Sequence, residues 1–138
     1  MNKSRVLIVE DEPLVGQELK AALQDIGCRV SAVVPSGEEA LAKLMLDRAD
    51  LVLMDIVLRG KLDGIETARV ISQRWGVPVA FITSFADQSV RELALMTKPV
   101  AVLYKPVTRE QLRQLLYLAY PPAQEPQSEP LQINLWPN

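Results

Sequence analysis

Apolar residues in this chain gather into short runs without the alternation of a half-exposed strand: Val6–Val9, Leu51–Met54, Val77–Ile82 and Val100–Tyr104, with a looser run at Cys28–Val34. Such runs are what strands buried on both faces of a parallel sheet produce. The stretches between them carry apolar residues at helical spacing. The first holds Leu14, Val15, Leu19, Ala22, Leu23 and Ile26, with Pro13 suited to its first turn, Asp11 or Glu12 near its N-terminus, and Gly27 to end it. In the second, Ser36 and Glu39 form a capping-box pattern ahead of Ala40, Leu41, Leu44 and Met45. The third follows Asp63-Gly64 through Ile65, Ala68, Ile71 and Trp75, and Gly76 closes it. A weaker helix is expected from about Asp87 to Met96. The last is capped by Thr108, with Glu110 in its first turn and Leu112, Leu115, Leu116 and Leu118 on its buried side.

Strands alternating with helices predict a parallel sheet covered on both faces and joined by right-handed crossovers. The expected fold is a flavodoxin-like, doubly wound α/β domain over residues 1–120. From Pro121 the composition changes. Pro121, Pro122, Pro126, Pro130 and Pro137 punctuate a polar tail that cannot bury enough area to fold alone. Within it Leu131, Ile133 and Leu135 alternate as in a strand, next to Trp136, so the tail (121–138) is expected to be held by its own domain or by a neighbouring chain.

Composition narrows the chemistry. At 138 residues, 49% apolar and 23% charged, the chain has the make-up of one soluble globular domain. Its net charge of −2 gives no general attraction to nucleic acid. No histidine is present, which removes histidine general bases, Ser-His-Asp and Cys-His pairs, and imidazole zinc sites. Cys28 is the single cysteine, so no disulfide forms within the chain; it reads as small packing, and a reducing compartment fits. The N-terminal apolar run is too brief for a signal peptide or membrane span, and a cytoplasmic location is expected.

Four strand ends deliver polar groups to one edge: Glu10-Asp11 from the first, Asp55 from the third, Thr83 from the fourth and Lys105 from the fifth. In open α/β sheets chemistry collects at this edge. Taken singly, Asp55 can cap a turn, Thr83 can be a turn hydroxyl, Lys105 a solvated end, and Glu10-Asp11 a helix start. Together they make an all-oxygen carboxylate cluster that suits Mg²⁺. The hydroxyl and ammonium are suited to neutralising phosphoryl oxygens, and one carboxylate with room beside it is a nucleophile.

This set resembles the receiver domain of bacterial two-component response regulators from roughly Arg5 to Tyr120. The matching motifs are Val6-Leu7-Ile8-Val9-Glu10-Asp11-Glu12, Leu53-Met54-Asp55, Asp63-Gly64-Ile65-Glu66, Phe81-Ile82-Thr83-Ser84 and Tyr104-Lys105-Pro106. The resemblance implies that Asp55 accepts a phosphoryl group from a sensor histidine kinase or a phosphotransfer protein. Asp11, Asp55 and the backbone carbonyl of Val57 would ligate Mg²⁺, with Glu10 helping directly or through water. Thr83 and Lys105 would bind the phosphoryl oxygens after transfer, and the Lys105–Pro106 bond is expected to be cis. The helix at Asp87–Met96, the last strand and the last helix would then be the surface that responds.

Three positions depart from the family pattern. Val102 stands three residues before the lysine, where an aromatic switch residue is common. Tyr104 lies next to the lysine instead, with its side chain expected on the other side of the sheet, so the usual Thr/Tyr coupling is absent or rebuilt. Glu10 replaces the commoner Asp. The Ile56–Asp63 loop is longer than the commonest form, lacks its proline, and has the Leu-x-Gly-x-x-Asp-Gly pattern.

The leading expectation is a stand-alone response regulator that works through protein contacts, including a homodimer, or passes phosphoryl groups along a relay. It is not expected to be an enzyme beyond its own phosphorylation and dephosphorylation, and neither nucleic acid nor membrane is an expected partner. A phosphorylation-independent interaction module is the alternative. An aspartyl phosphatase is disfavoured, because Val57 occupies the place of its second, acid Asp.

Overall fold

The computed structural model describes residues 4–58, 60, 62–84 and 87–121. Strands β1 (Arg5–Val9), β2 (Arg29–Val34), β3 (Leu51–Asp55), β4 (Val79–Thr83) and β5 (Ala101–Tyr104) alternate with helices α1 (Pro13–Asp25), α2 (Gly37–Leu46), α3 (Gly64–Arg74), α4 (Gln88–Met96) and α5 (Arg109–Ala119). The strands form one sheet in the order β2-β1-β3-β4-β5, with every pairing parallel. This is the doubly wound architecture expected from the alternation of patterns.

Burial along the strands follows their place in the sheet. All five residues of β3, at the centre, are buried, as are those of β4. The edge strands β2 and β5 have no fully buried residue. Leu7, Val9, Val52, Met54, Val79 and Phe81 face α2, α3 and α4 through Ala40, Leu44, Ile65, Ala68, Ile71 and Ala94. On the other side, Val6, Ile8, Leu51, Leu53, Ala80 and Ile82 meet Leu19 and Leu23 of α1 and Leu112 and Leu115 of α5. Cys28 is buried on that second side, and burial pushes its thiol pKa up, as suits a packing residue.

Local chemistry explains most helix ends. Ser36 accepts the Glu39 amide, Asp63 accepts the Glu66 amide, and Asp87 accepts those of Ser89 and Val90. The reciprocal capping box occurs at α5, where Thr108 and Gln111 satisfy each other's backbone amides. Gly27 and Gly76, at φ +97° and +65°, carry the chain out of α1 and α3 in a backbone region that other residues enter at a cost.

Some boundaries and faces differ from the sequence reading. Cys28, Val77, Pro78 and Val100 precede their strands, and Asp87 caps α4 from outside. Met45 and Leu118, expected on buried faces, are exposed. The buried stripe of α2 runs through Gly37, Ala40 and Leu44, and one residue further turns about 100° away. In α5 the inward stripe passes through Leu112, Leu115, Leu116 and Ala119, which leaves Leu118 beside it. The tail's apolar residues Leu131, Ile133, Leu135 and Trp136 lie outside the described residues.

Candidate functional site

Because β1, β3, β4 and β5 run parallel, their C-terminal ends reach one rim. Glu10 leaves β1 with its amide donating to the Val34 carbonyl at 2.9 Å, and its side chain is buried. The next residue, Asp11, is half-buried. Asp55 ends β3 and is buried; its Oδ1 accepts the Val57 amide at 3.1 Å. One oxygen from each of Glu10, Asp11 and Asp55 lies within 4.8 Å of the others.

Lys105 follows β5 and is tied to β4 by its amide, which donates to the Thr83 carbonyl at 2.9 Å. The Lys105–Pro106 bond is cis. Nζ donates to Asp55 Oδ2 at 3.0 Å and stands 2.8 Å from Glu10 Oε1. Buried Oε1 has this ammonium as its partner, in an ion pair. Glu10 Oε2, by contrast, accepts the Glu12 amide at 3.1 Å.

Burial is the main influence on both charged partners. It raises the Glu10 pKa, further helped by nearby Asp55 and opposed by Lys105 and the Glu12 amide. Burial alone would lower the Lys105 pKa, but its contacts with Glu10 and Asp55 outweigh that and leave it raised. Among the described residues the rim therefore holds more carboxylate than its lysine neutralises. Three carboxylates with one oxygen each within 4.8 Å of the others, sharing a single lysine, fit a small hard cation.

Thr83 is buried at the end of β4. It lies one residue past Ile82, the register partner of Asp55, so alternation sends its side chain to the opposite side of the sheet from Asp55. Its own partner in register is Tyr104. Val102 packs on the α2–α3–α4 side, and Tyr104, two residues on, shares that side with it, which corrects the expectation that Tyr104 turns to the other side, although its side chain remains exposed. Val57 joins the site through its backbone, and its side chain is exposed.

Glycine sets the entry to α3. A Cβ on Gly64 would lie 2.1 Å from the Asp55 carbonyl oxygen, so only glycine lets this helix start against the end of β3. Two further contacts were not apparent from the sequence. Glu12, read only as a helix-start residue, brings Oε1 to 3.8 Å from Lys105 Nζ. Its position directly after Glu10-Asp11 is the one signal that points to it. A cleft of about 420 Å³ opens beside the lysine, between α1 and the β5–α5 link, lined by Glu12, Leu19, Ile82, Ser84, Lys105 and Pro106 among others. The second contact, from Glu38 to the β3–α3 loop, has no signal in the local pattern.

A family model described as the response regulator receiver domain matches residues 6–117, and the chain belongs to that family. It is 32% identical over 115 residues to the transcriptional regulatory protein PdtaR of Mycobacterium tuberculosis, covering 83% of this chain and 56% of that protein. Against the positive alginate biosynthesis regulatory protein of Pseudomonas aeruginosa, identity is 35% over 119 residues, covering 85% and 47%. The chain thus spans about half the length of these curated relatives. Among solved structures, the signal receiver domain of a modulated diguanylate cyclase from Desulfovibrio desulfuricans G20 superposes with a TM-score of 0.82 at 36% identity, covering 86% of this chain and 94% of that one. Among the described residues no helix is long and apolar enough to cross a membrane.

Proposed function

We propose that this chain is a response regulator whose Asp55 accepts a phosphoryl group from a phosphohistidine of a sensor kinase or phosphotransfer protein. The observation that carries the reading is Lys105 Nζ held between Asp55 and Glu10, with three carboxylates gathered around the same point. An Asp55 oxygen attacks phosphorus, the P–O bond forms as the P–N bond breaks, and the imidazole leaves with the bond's electron pair. Mg²⁺, when bound, neutralises charge on the transferring phosphoryl group. Asp11, Asp55 and the Val57 carbonyl would hold it, with Glu10 assisting.

In this reading Lys105 has two tasks. Before transfer it orients the Asp55 carboxylate through their 3.0 Å contact, and afterwards it pairs with a phosphoryl oxygen. The phosphoryl group extends past the carboxylate and beyond the strand ends, and the Thr83 hydroxyl, which leaves β4 on the opposite side from Asp55, donates to it by turning across that rim. Since the Lys105 amide is bonded to the Thr83 carbonyl, movement of either strand end is felt by the other. The responding surface is α4, β5 and α5, where Leu93, Leu95, Met96, Tyr104, Tyr117 and Leu118 are exposed for a partner or a second copy. The cleft beside Lys105 gives the donor its approach.

Intact mass after incubation with a small phosphodonor and Mg²⁺ tests the chemistry. One added phosphoryl group that requires Mg²⁺ and is absent in Asp55→Asn is expected. No addition to a folded wild-type chain, beside a control receiver that is modified, would leave a phosphorylation-independent interaction module.

A further inference from the structure

The loop that follows Asp55 is fixed at more points than its polar sequence suggests. At its start, the Val57 amide donates to Asp55 Oδ1. Near its end, the Gly64 amide donates to the Ile56 carbonyl at 3.0 Å. The third tie comes from a different helix: the Leu62 amide donates to Glu38 Oε2 at 3.1 Å, across 24 residues of sequence. Glu38 lies in the first turn of α2.

The surroundings give this contact a definite place. A Cβ on Gly37 would lie 2.1 Å from Thr67 Oγ1 and 3.2 Å from Leu62 Cβ, so the start of α2 is pressed against the end of the loop and the first turn of α3. A Cβ on Gly60 would come within 2.9 Å of Glu38 Oε1, and Gly60 has φ +103°. Glycine at that position lets the loop pass beside the Glu38 carboxylate. Two residues beyond Leu62, Gly64 abuts the Asp55 and Ile56 backbone. Glu38 thus reaches the backbone of the proposed metal site through two short steps, Leu62 to Gly64 and Gly64 to Asp55–Ile56.

We propose that Glu38 is a positioning residue for the Mg²⁺ site: by holding the Leu62 amide it seats the loop that presents the Val57 carbonyl. The inference rests on the Mg²⁺-dependent reading above and extends it to a helix that contributes no ligand. Its consequence is specific. Loss of the Glu38 carboxylate weakens Mg²⁺ binding, while phosphorylation at saturating Mg²⁺ stays near the wild-type rate because every reacting group is still present.

The test is calorimetric titration of Mg²⁺ into the unphosphorylated full chain, for wild type, Glu38→Ala, Glu38→Gln and Gly60→Ala. Glu38→Ala is expected to raise the dissociation constant about threefold to tenfold, the range for one charge-assisted hydrogen bond lost at an exposed position. Glu38→Gln keeps an acceptor and should recover part of the affinity. Gly60→Ala leaves α2 intact but places a Cβ 2.9 Å from the carboxylate and strains the loop at φ +103°, and should raise the dissociation constant at least as much as Glu38→Ala. Phosphorylation rates against Mg²⁺ concentration should show a higher half-saturation with the plateau retained, and urea midpoints should change little. Unchanged Mg²⁺ affinity in Glu38→Ala, with faster amide exchange at Leu62, overturns the proposal and makes the contact merely structural. So does a fall in urea midpoint with no change in affinity. If the wild-type chain takes no Mg²⁺ at all, the metal-site reading fails first and the positioning role falls with it.

Discussion

The two rims of this sheet use the same kinds of side chain to opposite ends. At the N-terminal rim Arg5 meets Asp47 at 2.8 Å, its amide donates to Asp50 at 2.8 Å, and Lys43 approaches Asp47 at 3.7 Å. The Arg5 and Asp47 side chains are 36% and 40% exposed, so water shares in solvating them. At the C-terminal rim Lys105 faces Glu10, Asp55 and Glu12, and the first two are 0% and 7% exposed. Cations at the first rim stand in near balance with their acids. At the second, carboxylates outnumber the lysine among the described residues, and burial withholds water. A fold gains little from such an arrangement, since buried charge is costly unless fully compensated. Among the described residues, the difference separates a rim that fastens the domain from one with an excess of buried carboxylate.

Removing the compensating cation should give the largest effect on stability. Lys105→Ala leaves Glu10 and Asp55 buried side by side, and in metal-free buffer it should destabilise the domain by about 2–4 kcal/mol. Urea unfolding measures this, and added Mg²⁺ should restore more stability to the variant than to the wild type, because it then replaces the positive charge that Lys105 supplied. An equal gain in both would show that Lys105 and the metal do not share these carboxylates.

The next effect is a pH dependence. The folded pKa of Glu10 is raised from its ordinary value of 4.5, so between those two values the folded chain binds more protons than the unfolded one. The stability linked to this group is present below 4.5 and lost as pH rises through the folded pKa. Lys105 also has a raised pKa, but its contribution is lost only above its ordinary value of 10.5, outside this window. Metal-free wild type should therefore lose stability on going upward from mildly acid pH relative to Glu10→Gln, in which the group cannot ionise. Mg²⁺ should flatten the difference by favouring the carboxylate. Urea midpoints that keep a constant separation across the range would count against unbalanced charge at this rim.

These two regions were also unequally legible in the sequence. Leu51–Asp55 is the strand its apolar run defines, and Glu10, Asp11, Asp55, Thr83 and Lys105 stand at strand ends as expected. A parallel sheet turns positions far apart in sequence into neighbours on one rim, so strand-final residues identify the candidate site without knowledge of side-chain packing. Contacts that depend on how helices sit against each other were not legible. The Glu38–Leu62 bond exists because α2 and α3 approach closely at Gly37 and Thr67, which no local pattern encodes. Met45 and Leu118 show a similar limit: apolar character placed them inward, whereas the buried stripe of each helix was already filled by neighbours better aligned with the sheet. The N-terminal rim was missed for another reason, since Arg5, Asp47 and Asp50 are ordinary polar residues at element ends until folding brings them together.

That rim supplies the smallest effect and the sharpest control. Arg5→Ala removes a part-exposed pair with Asp47 but keeps the backbone amide that donates to Asp50. Water can solvate the remaining carboxylate, so the loss should be at most about 1 kcal/mol and should shrink at high salt. Mg²⁺ affinity and phosphorylation of Asp55 should be unchanged, because Arg5 begins the strand whose far end carries Glu10. A salt-independent loss as large as that of Lys105→Ala would mean that the N-terminal rim is compensating buried charge as well. Burial and charge balance would then no longer distinguish the two ends of the sheet, and the excess of carboxylate near Asp55 would lose its value as a sign of function.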